Sequence, residues 1–290
     1  MPEQLTWLVT GCSSGLGEAL IRAILARRDR AIATARPGNA VSGVDRIASL
    51  KEAGAAVLEL DLGATQVELV EKAQEAWQMY GHVDVLVHNA GYIEAGVFEE
   101  LDEQMLTGSL RVNVLGPLNL TSAFLPLMRA RKTGTLLFAS SVEVYYDAPG
   151  ASYYSGAKGM MDELVPNLAL EVASFGIRTC LSVFGYVRTA VMAPGNMRYD
   201  VPNRLPEYEE LNKLVKDGCN AGNGNQPGDP IKACELVIEA VRGEGRCVKR
   251  KKLPLRLPIG LGALRDIRVN CEEKMAVCDG WNGISSQTDF

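Results

Sequence analysis

The chain has 290 residues, 47% of them hydrophobic and 22% charged, and a net charge of −5. That balance suits a globular protein with a large core and excludes the basic face that a nucleic-acid groove requires. No apolar run reaches the roughly 18 residues that span a bilayer, and the N-terminal residues read as a first strand and not as a secretory leader. Seven cysteines with no Cys-x-x-Cys pair read as reduced thiols of a cytoplasmic protein, and two histidines are too few for a His-rich metal site.

Residues 5–10 form a short apolar run closed by glycine, as a buried strand does. A helical pattern follows to Arg28, with Leu16, Ala19, Leu20, Ala23 and Ile24 on one face. The alternation continues as strand 31–35, helix 43–53, strand 55–60, helix 66–80 and strand 83–87. Helix 102–128, strand 134–139, helix 151–175 and strand 177–183 complete it, and Pro166 should kink the last of these helices. Such βαβ units carry parallel strands covered on both faces, and right-handed crossovers give an α/β doubly wound sheet of the Rossmann type. All of 1–290 reads as one domain.

Residues 190–228 break the pattern and are rich in Met, Tyr, Pro, Asn and Gly, which predicts a substrate lid with the four glycines of 218–228 as its hinge. A helix over 229–242 and a strand at Arg246-Cys247-Val248-Lys249 return to the sheet. The short basic cluster Lys249-Arg250-Lys251-Lys252 reads as a solvated strand end. Residues 251–290 form a C-terminal extension with a helix over 261–281 and a loose final nine residues.

The turn Thr10-Gly11-Cys12-Ser13-Ser14-Gly15-Leu16-Gly17 lies between the first strand and the first helix. Glycines there let backbone approach a dinucleotide pyrophosphate, and the helix N-terminus offers free N–H groups. The residues expected at the cofactor are Gly11, Ser13, Ser14, Gly15, Leu16 and Gly17. Gly11-Cys12-Ser13-Ser14-Gly15 also spells a hydrolase nucleophile elbow, but that chemistry needs a late histidine, and none follows His88. Where NAD binders place a carboxylate for the ribose 2′-hydroxyl, this chain has Ala35-Arg36. Arg36 can pair a 2′-phosphate, so NADP(H) is expected.

Tyr154 and Lys158 stand four apart on a helix and share a face. A neighbouring ammonium and an oxidised nicotinamide should favour the phenolate, and tyrosine then serves as acid or base. Ser141 ends a strand thirteen residues before Tyr154, where it can hold a substrate oxygen.

With these motifs the chain resembles the short-chain dehydrogenase/reductase family over residues 5–190, and more loosely beyond. The resemblance implies that Asp61 and Leu62 flank the adenine, that Asn89, Ala90 and Gly91 line the cofactor, and that Val187 and Thr189 contact the nicotinamide carboxamide. Asn113 in Val-Asn-Val-Leu-Gly matches the asparagine that deforms its helix and anchors a relay water. Two positions depart from the pattern: Phe184-Gly185 replaces Pro-Gly, and His88 replaces an asparagine of structural role. The packing of the Tyr154 helix in relatives makes a homo-oligomer possible.

The expected activity is NADP(H)-dependent hydride transfer between a nicotinamide and a small-molecule ketone or secondary alcohol. The alternatives are a non-catalytic NADP(H)-binding regulator and an epimerase or dehydratase on the same fold. Nothing charged clusters in sequence near the tetrad of Asn113, Ser141, Tyr154 and Lys158, while Phe184, Met192 and Met197 supply an apolar surface beside Ser141 and Tyr154. A bulky, mostly apolar or cyclic substrate follows from that.

Overall fold

The computed structural model describes residues 3–37, 46–193, 196–199, 201–250 and 252–290. Seven parallel strands form one sheet: β1 (Thr6–Val9), β2 (Arg30–Ala35), β3 (Ala56–Glu59), β4 (Val85–His88), β6 (Gly134–Ser141), β7 (Ile177–Phe184) and β9 (Arg256–Ile259). A separate two-residue pair, β5 (Ile93–Glu94) with β8 (Met197–Arg198), stands beyond the sheet's C-terminal edge. The helices are α1 (Gly15–Ala26), α2 (Arg46–Glu52), α3 (Gln66–Tyr80), α4 (Glu103–Leu110), α5 (Gly116–Arg131), α6 (Ser152–Val172), α7 (Glu209–Gly222), α8 (Pro230–Arg242) and α9 (Leu261–Ser285).

The strand order β3-β2-β1-β4-β6-β7-β9 reverses direction at β1/β4, the crevice where open α/β sheets bind their ligands. Alternation along each strand builds two cores. Leu8, Ile32, Leu86, Leu136, Phe138 and Leu181 face α3, α5 and α6, with Phe124, Met128 and Val165 packed on them. Trp7, Val9, Ala31, Ala33, Val87 and Leu137 face the other way, onto Ile21, Ile24, Val237 and Ile238 of α1 and α8. Two buried acids lock the layers. Asp29 accepts from Arg242 Nη1 at 2.8 Å and from the Trp7 indole at 3.0 Å, and Asp162 of α6 accepts from Arg256 of β9 at 2.8 Å.

Three expectations are corrected. The strand placed at 246–249 is a single turn, because Glu239 takes both the backbone N–H and the side chain of Arg246, and the sheet is completed instead by β9. The final residues are not loose: α9 continues to Ser285 and one more turn covers Ser286–Thr288. The segment 190–228 holds β8 and α7, and two of its presumed hinge glycines, Gly218 and Gly222, lie inside that helix. Buried Glu100 pins it by accepting from Leu205 N, Arg204 and Asn212 at 2.9–3.2 Å. α6 runs on through Pro166. The start of the helix expected at 43–53 lies outside the described residues; from Arg46 it is present.

Candidate active site

The glycine turn sits at the switch point and is built for close approach. Gly11 and Gly15 adopt φ of +72° and +62°, the left-handed region that glycine enters without strain. A Cβ at Gly11 would meet the Ala90 backbone at 2.8 Å, and one at Gly17 would collide with the Gly11 carbonyl. Ser14 caps α1 with no side-chain hydrogen bond, so the helix's first N–H groups remain available to an anion. Asn89 ties β4 to the turn by donating to the Thr10 and Gly11 carbonyls at 2.9 and 3.1 Å. Thr189 stands across from Gly15, about a van der Waals contact from where a side chain there would be. This cradle, bare of side chains and open at a helix N-terminus, fits a dinucleotide pyrophosphate.

Ser13 and Leu16 flank the cradle, and Leu16 is half-buried against α8. Asp61 turns its carboxylate onto the Gly63 N–H at 2.8 Å, while Leu62 is buried in the core. Val187 is buried and bridges to Gly228. Arg36 is exposed at the end of β2, near enough to Tyr92 for its charge to bear on that phenol.

Past the cradle the four tetrad residues converge. Asn113 is the centre of a π-turn, residues 111–115, that joins α4 to α5; such a turn widens the helix by one residue and frees a carbonyl. Its Nδ2 donates to the Tyr92 carbonyl at 3.1 Å, and its Oδ1 accepts from Tyr92 N at 3.3 Å. A Cβ at Gly91 would meet that Oδ1 at 2.6 Å and Lys158 Nζ at 3.8 Å, so no side chain larger than glycine's fits beside the pair. Lys158 Nζ donates to the Ala139 carbonyl at 2.7 Å and lies 5.8 Å from the Tyr154 ring centre. Ser141 accepts from Glu143 N at 3.2 Å.

Burial dominates the electrostatics. It pushes the Lys158 ammonium down to about 8. It also pushes the Tyr154 phenol well above its ordinary value; the Glu143 carboxylate adds to the rise and the Ser141 hydroxyl opposes it. Burial is the largest of these influences and favours the protonated phenol at Tyr154.

Met192 and Met197 do come to Tyr154: they form one cluster with it, together with Ile93, Ala95, Tyr199 and Cys219. Phe184 does not. Alternation along β7 turns it to the α1/α8 face, where it packs with Leu16, Leu20 and Cys234, so its expected place among the substrate contacts is corrected. The absence of charge near the tetrad is also corrected, since Glu143 faces Tyr154 from the turn after Ser141. Tyr145, Tyr146 and Tyr186 line that side, with Tyr145 held by Asp162 at 3.0 Å. An acid two residues past Ser141 was the available signal for Glu143; Asp162, four past Lys158 on the same helix face, was the signal for the other.

The hydrolase reading fails on geometry. His82 pairs with Asp84 at 3.2 Å at the opposite end of β4, and His88 is buried against Thr121 at 2.8 Å. Cys12 is a buried thiol pushed up to about 12, donating to the Val9 carbonyl at 3.1 Å. Among the described residues no group of acids, histidines or cysteines could hold a metal, and no helix is long and apolar enough to cross a membrane.

A glycine cradle at the switch point of a doubly wound sheet, with a tyrosine, lysine and serine converging beyond it, defines a Rossmann-type oxidoreductase. The family profile described as short chain dehydrogenase matches residues 6–199, and the chain belongs to that family. It is similar to oxidoreductase BOA17 of Botryotinia fuckeliana, 29% identical over 96% of this chain and 97% of that one. A short-chain dehydrogenase structure from Streptomyces avermitilis is 32% identical, with a TM-score of 0.84 and full coverage of both chains. A family structure from Burkholderia phymatum in complex with NAD shares the fold at TM-score 0.77, 18% identity and 95% coverage of each chain.

Proposed function

We propose that the protein is an NADP(H)-dependent oxidoreductase interconverting a ketone and a secondary alcohol. The observation that carries this reading is the convergence of Tyr154, Lys158, Ser141 and Asn113 beside the glycine cradle. A bound nicotinamide supplies or accepts the hydride. The cradle at Gly11–Gly17 holds the pyrophosphate, with Thr189 and Val187 toward the carboxamide and Asp61 and Leu62 toward the adenine. Ser141 donates to the substrate oxygen and fixes it against Tyr154. Tyr154, resting protonated, gives its Oη proton to that oxygen as the carbonyl is reduced. Lys158 holds the ribose hydroxyls, and with Asn113 it lines the route by which the Tyr154 proton is restored.

Arg36 favours the 2′-phosphate of NADP(H): it is exposed just past β2, its charge bears on Tyr92, and Ala35 leaves no acid at the end of β2. The cluster of Met192, Met197, Tyr199 and Ile93 on Tyr154 favours a bulky, mainly apolar substrate. Met160, Leu164 and Leu170 are exposed on α6 and support a homo-oligomer through that helix. All seven cysteines are free, in keeping with a reducing cytoplasm. The test is NADPH consumption with a panel of cyclic ketones, small sugars and 2-keto acids. Turnover should favour the cyclic ketones, and far better turnover of the sugars or keto acids would reverse the substrate reading.

A further inference from the structure

Glu143 has no use in the chemistry just described. It sits on the turn that follows β6, two residues past Ser141, and its backbone N–H fixes the Ser141 hydroxyl at 3.2 Å. Its side chain is partly buried, receives a single long hydrogen bond from Tyr146 Oη at 3.4 Å, and bears on Tyr154. No lysine, arginine or histidine among the described residues forms an ion pair with it, whereas buried Asp29, Glu100 and Asp162 each hold an arginine. Its donor Tyr146 stands 6.2 Å from Tyr186, ring centre to ring centre, and both pack on Val142, Val183 and Ala263.

A carboxyl partly withdrawn from water without a counter-charge is destabilised unless something donates to it. The protein supplies one weak donor, although the carboxyl can accept about four hydrogen bonds. Burial accordingly raises its affinity for a proton. Its unused acceptor capacity lies beside the reacting groups, since Glu143 follows Ser141 by two residues, donates its N–H to the Ser141 hydroxyl and bears on Tyr154. Two tyrosine rings beside it suit a cationic or hydroxylated group equally.

Resting on the ketone-reductase reading, we infer that Glu143 is a specificity-determining residue that selects substrates bearing an O–H or N–H donor within a few bonds of the reacting carbonyl. The substrate is then an apolar body with one donor, seated between the methionines on one side and Glu143 on the other. Two consequences follow. A substrate carboxylate is repelled, and an apolar group placed against Glu143 leaves the carboxyl without its partner.

The test uses the whole enzyme with NADPH and cyclohexanones that carry methyl, hydroxyl, ammonium or carboxylate opposite the ketone. The unmodified enzyme should show kcat/KM at least about tenfold higher for the hydroxyl or the ammonium ketone than for the methyl one. The carboxylate ketone should be the poorest. Whichever donor gains identifies the source, hydroxyl or amine. Glu143→Leu should bring the donor-to-methyl ratio to within about twofold, read as a ratio so that any shared loss of rate cancels. Glu143→Gln, nearly isosteric, should raise the carboxylate-to-methyl ratio several-fold, which decides the matter if Glu143→Leu does not fold. Equal use of methyl and donor ketones by the unmodified enzyme, or ratios unmoved by either substitution, would overturn the inference while leaving the reductase reading intact. No turnover of any ketone would remove both.

Discussion

Replacing His88 with asparagine should make the protein less sensitive to acid. His88 is 4% exposed, stacks on Phe138 with ring centres 4.7 Å apart, pairs with Thr121, and leaves Nδ1 buried without a partner. No carboxylate sits near it, so desolvation alone pushes its pKa from 6.5 down to about 3. The folded state therefore excludes a proton that the unfolded state accepts below pH 6.5. Stability is full above 6.5 and falls as the pH drops from 6.5 toward 3. Each unit in that window costs about 1.4 kcal/mol, so between pH 7 and pH 5 this histidine should remove about 2 kcal/mol. Urea unfolding at the two pH values measures it. The unmodified protein should lose about 2 kcal/mol more than His88→Asn across the interval, whatever the substitution costs at pH 7. Equal losses in the two proteins would mean that His88 charges in place and that the burial argument is wrong.

Lys158→Met should abolish activity yet stabilise the free protein at pH 7. Holding the ammonium at about 8 instead of 10.5 costs up to about 3 kcal/mol, against about 1 kcal/mol for the Ala139 carbonyl left unpaired. The unmodified protein alone should gain stability as pH rises from 8 to 10.5, because its unfolded state binds the extra proton there; calorimetry across that range checks the sign. Arg36→Ala should weaken NADPH binding by roughly 10- to 150-fold and spare NADH, the worth of a charge-assisted bidentate contact, and fluorescence titration of both cofactors reads it. Met192→Ala or Met197→Ala should raise KM by roughly 5- to 30-fold, from about 1–2 kcal/mol of lost apolar contact, and lower kcat less, as steady-state kinetics would show.

The sheet was legible because its strands are buried on both faces and read as short apolar runs between helices of the right length. Strand β9 was not, because Arg256-Leu-Pro-Ile is a four-residue edge strand containing proline, and the basic run before it looked more strand-like. The π-turn at Asn113 has no periodic signature; only the family resemblance pointed to it. The Tyr154–Lys158 pair and the glycine cradle are written in spacing along single elements, so they were readable. Glu143 and Phe184 depend on which way a strand end faces, and a one-residue difference in register reverses that. Glu100 and Asp162 act on segments far along the chain, which no local pattern reveals.

The role of Tyr154 is tested most directly by single-turnover reduction of a cyclic ketone with NADPH bound, comparing the unmodified protein with Tyr154→Phe. Losing the proton donor should slow the chemical step by about 10²–10⁴-fold, while the NADPH dissociation constant stays within about twofold. A Tyr154→Phe protein that reduces the ketone at a near-normal rate would show that another group supplies the proton.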